Sequence, residues 1–264
     1  MKRQLRKSPL TYVIAVVKIS PIMELKNYIP RMHESIRKDF PICNPIDIRA
    51  IEMGPNKELV ISEITQWHFA DKLSTTGILA DANTIMFHTT QYDLFENLVG
   101  KFKKVIDNFN AVLEIGLYMR IGLRYINMIN IEPKKYLQKE LLGFHLQKSE
   151  KFKEQYLTKS ETIQKTDRGV AKIKTTYLSK DFISDNKDIL VPMDLRQGAS
   201  YLKFDAHAKK MPSDNYAMLD IDHFIEESKD FNGAEIIKQL KQLHDGCYDI
   251  FTHSVTKEAL EEWR

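Results

Sequence analysis

A chain of 264 residues with 43% hydrophobic and 28% charged side chains has globular composition and enough length for a sizeable core. Its formal charge of +3 is too mild to demand nucleic acid, because dedicated binders usually carry a concentrated basic stripe. No apolar run approaches the roughly 20 residues of a membrane-spanning helix. The two cysteines, Cys43 and Cys247, lie far apart without metal-ligand spacing and read as free thiols in a reducing cytoplasm.

The basic start (Lys2, Arg3, Arg6, Lys7) reads as a solvated tail. The β-branched run 11–19 predicts a strand; Lys18 interrupts it, and no small-residue cleavage site follows, which argues against a signal peptide. A helix is expected over 21–39, with Pro30 kinking or breaking it. Strands follow at 46–53, 58–70 and 84–89, the first two joined as a hairpin through Gly54-Pro55-Asn56. The clearest helix spans 92–113. Leu94, Phe95, Leu98, Phe102, Val105, Ile106 and Phe109 hold its apolar stripe, and Thr90 with Asp93 resembles a cap.

The stretch 116–127 alternates as a strand. Leu117, Met119, Ile121, Leu123 and Tyr125 fall on one face, and Tyr118, Arg120, Gly122, Arg124 and Ile126 on the other. The lysine-rich segment 132–161 has few apolar anchors and reads as an excursion or linker. Strand signals return at 162–163, 170–178, 189–195, 199–204 and 217–223. Asn232 with Glu235 forms a capping signature for a helix reaching about 252, and a short helix over 257–264 follows. His244 and Cys247, one turn apart, read as members of that helix's apolar stripe rather than as metal ligands.

These elements predict an α+β fold of antiparallel sheets with long amphipathic helices packed on one face. The expected organisation is an N-terminal half (1–131), the excursion (132–161) and a C-terminal half (162–264). The halves are either two similar units or one continuous domain.

Arg120 and Arg124 on one strand face, with Arg49 on an earlier strand, predict an anion- or partner-binding patch, since guanidiniums clamp carboxylates and phosphates bidentately. Structural pairing with carboxylates on neighbouring strands is the competing reading. Asp220 and Asp222 fall on one face of a later strand, a pattern able to hold Mg²⁺ through oxygen ligands. That run imitates the metal strand of diguanylate cyclases, but their glycine-rich catalytic hairpin signature does not follow it. Trp67, Phe69, Tyr92, Phe95 and Tyr118 sit at spacings that predict core.

Arg120-Ile121-Gly122-Leu123-Arg124-Tyr125-Ile126-Asn127, placed after the 92–113 helix, resembles the signature of a sporadically distributed bacterial protein family of unknown function. Ser8-Pro9-Leu10, Trp67-His68-Phe69, Leu219-Asp220-Ile221-Asp222 and Leu243-His244 leading to Phe251 and Thr256 extend the resemblance over nearly the whole chain. It implies a prokaryotic, intracellular protein, and sporadic occurrence fits accessory genes, including phage defence or counter-defence. It carries over no catalytic residue.

The expectation is a non-enzymatic binding or interaction protein that recognises a protein or an anionic small molecule and needs no cofactor. The alternative is a Mg²⁺-dependent phosphoryl-transfer or nuclease-like enzyme using Asp220 and Asp222. Nucleic acid is a less favoured partner, and no membrane is expected.

Overall fold

In a computed structural model, which describes residues 5, 7–53, 59–129, 133–143, 155–180, 202 and 215–264, nine strands join into a single antiparallel sheet. They are β1 (Leu10–Ile19), β2 (Ile42–Met53), β3 (Leu59–Ala70), β4 (Thr76–Asp81), β5 (Thr84–Thr89), β6 (Leu117–Ile129), β7 (Leu157–Thr166), β8 (Gly169–Leu178) and β9 (Tyr216–Asp230). Their order across the sheet is β2-β3-β4-β5-β1-β6-β9-β8-β7. The helices are α1 (Leu25–Ile36), α2 (Phe95–Leu113), α3 (Pro133–Tyr136), α4 (Gly233–Ser254) and α5 (Lys257–Glu262).

This corrects the expected α+β arrangement of antiparallel sheets with long amphipathic helices packed on one face. Strand is the dominant element among the described residues, and one sheet runs through both proposed halves because β6 pairs with β9 from Leu117↔Asp230 to Ile129↔Ala217. The cause lies in the central strands, which bury both faces. Val13, Ala15 and Val17 of β1 enter the core under the helices, while Tyr12 and Ile14 enter a second cluster on the opposite face. A strand apolar on both sides needs a neighbour at each edge and cover above and below.

Alternation along β6 breaks at its start. One-residue register shifts at Met119 against β1, and between Tyr118 and Arg120 against β9, turn Tyr118 into the helix-side core, opposite to its expected face. Strand β4 carries no alternation signal because five of its six residues are buried. β7, an edge strand, lacks the signal for the opposite reason: it is largely exposed and owes its strand state to pairing with β8.

The caps differ in part as well. Asn232 accepts a bond from Glu235 N at 3.1 Å, as its spacing predicts. The N-cap position of α2 is Leu94, not Thr90; the Thr90 hydroxyl donates to Thr75 O, and Asp93 accepts from Leu94 N at 2.6 Å. Helix α1 continues through Pro30. The expected strands at 189–195 and 199–204 lie outside the described residues except for Leu202, which joins the second cluster. The hairpin turn 54–58 and the basic residues Lys2, Arg3 and Arg6 also lie outside them.

Candidate functional site

Register places Arg124 of β6 beside Asp222 and Ile126 beside Asp220 of β9, so the arginines and aspartates meet on the sheet face away from α2 and α4. Arg124 grips Asp220 with both arms of its fork: Nε donates to Oδ1 at 2.7 Å and Nη2 to Oδ2 at 2.6 Å. The pair is deeply placed, with side chains 12% and 2% exposed. Arg120 Nη2 lies 3.5 Å from Asp222 Oδ2, and its guanidinium sits 3.9 Å above the Phe224 ring. Burial raises the Asp222 carboxyl above the usual range, outweighing the pull of Arg120 and Arg124.

The space above Gly122 is no recess for an anion. A Cβ there would come within 2.9 Å of Val16 Cγ1 and 3.5 Å of Phe224 Cβ. The glycine lets β1 and β9 side chains close over β6. Asp220 and Asp222 share a face as alternation requires, but a cation at Asp220 would have to displace Arg124 from both oxygens. Among the described residues no group of three or more His, Cys, Asp or Glu is placed to hold a metal ion. Arg49 stands on β2, opposite Glu63 and five strand positions from β6, roughly 24 Å away at normal strand spacing. The three arginines therefore do not converge.

The same face carries a hydrogen-bonded chain. Tyr12 Oη meets His88 Nδ1 at 2.6 Å, and His88 Nε2 meets His68 Nε2 at 3.2 Å. Burial lowers His68 to about 4 and His88 well below its ordinary value, with His68 adding to the latter. In the unfolded chain both titrate near 6.5, so below that pH the unfolded state takes protons that the folded state refuses. Stability is therefore full above about pH 6.5 and falls toward pH 4, by about 1.4 kcal/mol per pH unit for each imidazole. The raised Asp222 carboxyl offsets part of this only in the carboxylate range. Urea midpoints recorded from pH 7.5 to 4.5 should descend; a level series would show that these imidazoles protonate freely in the fold.

The opposite face holds the feature that sequence reading missed, a cavity of about 350 Å³ between the start of α2 and the middle of α4. Its lining includes Tyr125 and Asn127 from β6 and Ile221 from β9, with Ser8 just before β1 and Leu10 at its first position. Tyr92 and Phe95 contribute from the α2 side, and His244, Cys247, Tyr248 and Phe251 from α4. The cavity thus gathers residues far apart in the chain: Ser8 and Leu10, Tyr125 and Asn127, Ile221, then His244 and Phe251.

The cavity wall is ordered by stacking and hydrogen bonds. His244 lies flat on Phe95, ring centroids 4.1 Å apart and planes 4° apart, and its Nδ1 meets Tyr125 Oη at 2.8 Å. Tyr92 meets the Tyr125 ring edge-on at 5.7 Å. Burial pushes the Tyr92 phenol up to about 12 and Tyr125 well above its ordinary value. The Cys247 thiol is raised by burial and points to Leu123 O at 3.8 Å. Phenols and thiol are held protonated, so the cavity presents aromatic faces and hydrogen-bonding groups rather than an activated nucleophile.

Phe95 is a core residue and Tyr92 packs against the core, as their spacing predicts, and both also line this cavity. Sequence gave no sign of it, because helix periodicity scores a core contact and a cavity wall alike. Among the described residues no helix is long and apolar enough to cross a membrane. Comparison with protein-family models, with curated proteins and with solved structures gives no match.

Proposed function

We propose that this chain is a binding protein for a small organic molecule, seated in the cavity between α2 and α4. The observation that carries the reading is the cavity's build: about 350 Å³, aromatic walls, and a few ordered polar groups at Tyr92, Tyr125 and His244. Pockets of that size and mixture are the usual form of small-molecule sites. The Arg120–Arg124 face supports it less well as a recognition surface, because Asp220 already neutralises Arg124. The free thiols of Cys43 and Cys247 suit a reducing, cytoplasmic setting.

Binding can be read by ligand-observed NMR with a library of one- and two-ring compounds, repeated on a His244→Ala, Tyr248→Ala double variant that keeps its fold by circular dichroism. Hits on the native chain should lose at least about tenfold in affinity in the variant, since stacking and hydrogen-bonding partners disappear together. Undiminished binding by the variant would place the ligand elsewhere.

A further inference from the structure

Strand β7 forms one margin of the sheet, and among the described residues only β8 pairs with it. Ile163 stands 63% exposed on this ten-residue strand, and Tyr156 and Leu157 are exposed at its start. An edge strand turns N–H and C=O groups outward, a template for a further strand. We propose that β7 pairs antiparallel with β7 of a second copy of this chain, with Ile163 facing its own counterpart across a two-fold axis. The order of charges selects that occupant and that register. With Ile163 on the axis, Glu161 stands opposite Lys165 of the other copy and Lys159 opposite Asp167, each pair occurring twice by symmetry. The positions between them match Thr162 with Gln164 and Ser160 with Thr166, polar against polar. A slip of two residues one way sets Lys159 against Lys165, and the other way Glu161 against Asp167. Opposite charges directly across a strand pair are stabilising and like charges destabilising, so this register is favoured over its neighbours. Lys159 and Lys165 are exposed. Glu161 is 46% exposed with Lys172 at 3.5 Å, and Asp167 is 86% exposed with Arg168 at 3.6 Å, both long for ion pairs and open to a second cation. Lysines on an edge commonly deter a neighbouring strand. Here carboxylates at matching spacing lift that deterrent for one partner, the same strand reversed.

Sedimentation velocity on the full chain, from about 5 to about 500 µM, should show a reversible monomer–dimer equilibrium, weak because an edge contact lies at the small end of interfaces. Glu161→Lys and Lys165→Glu, each alone, should weaken the dimer roughly tenfold or more, since each sets like charges opposite one another twice. Mixed in equal amounts, the two variants should form a heterodimer as tight as the native pair, because the altered charges then face their opposites. Ile163→Lys, which brings two ammonium groups together on the axis, should leave a monomer throughout. All three positions are exposed, and circular dichroism should show native folding in each variant. A native chain that stays monomeric over the whole range would overturn the proposal. So would a dimer that the single charge changes leave unmoved, or single variants whose mixture fails to recover it.

Discussion

Replacing Arg124 by methionine is expected to cost about 3–5 kcal/mol of stability, the usual price of stranding a buried charge. Asp220 is 2% exposed and keeps both oxygens on this guanidinium, so the variant strips a buried carboxylate of its bidentate partner. Either the carboxyl protonates or the strands part, and each outcome weakens the β6–β9 junction at the sheet's middle. The double replacement Arg124→Met, Asp220→Leu should recover most of the loss, because a buried ion pair exchanged for apolar residues of similar volume is often close to neutral. Equilibrium urea denaturation of the three chains measures both steps. A single variant within 1 kcal/mol of the native chain would mean that the guanidinium does not carry this junction and is available to a ligand.

Gly77→Ala should be nearly as damaging, costing roughly 3 kcal/mol, the upper end of ordinary overpacking penalties. A Cβ at this β4 position would lie 2.6 Å from His68 Nε2, 2.7 Å from His88 Nε2 and 2.9 Å from Phe69 O. Two imidazoles and a main-chain carbonyl cannot all retreat, since His88 is tied to Tyr12 on one side and His68 on the other. The His68–His88 bond should break, releasing both rings to titrate. Gly77→Ala should therefore show a flatter loss of stability between pH 6.5 and 4.5 than the native chain, on top of its lower value at neutral pH. A variant with native stability and a native pH profile would mean that the imidazoles do not meet over this glycine.

What could be read from the residues follows the physics of each element. The apolar stripes of α2 and α4 and the β-branched run of β1 stand out because each buries a periodic face, and the structure places helix or strand there. β4 and most of β7 do not stand out: one is buried on both faces and the other is exposed, so neither alternates. The arginines on β6 are visible from alternation, but alternation gives a face and not a partner. Asp220 is 96 residues further along the chain, and only the β6–β9 register brings it under Arg124.

The cavity is less legible still. Its walls come from the entry to β1, the start of α2, β6, β9 and α4, and each contributing residue looks locally like ordinary core. What distinguishes Tyr92, Phe95 and His244 from neighbouring core residues is the space left between two helices, a property of tertiary packing. Tyr125 and Asn127 stand in the same run of β6 as the arginines. The strand points its charges into a closed ion-pair layer and its hydrogen-bonding residues into the cavity.

The most direct measurement is a crystal structure of the full chain soaked with a one- or two-ring compound that binds it by ligand-observed NMR. Density for the probe is expected between Tyr92, Tyr125 and His244, with Arg124 still forked onto Asp220. A probe lodged against the Arg120–Arg124 face, or an Arg124 released from Asp220 to meet it, would contradict the assignment of the two faces.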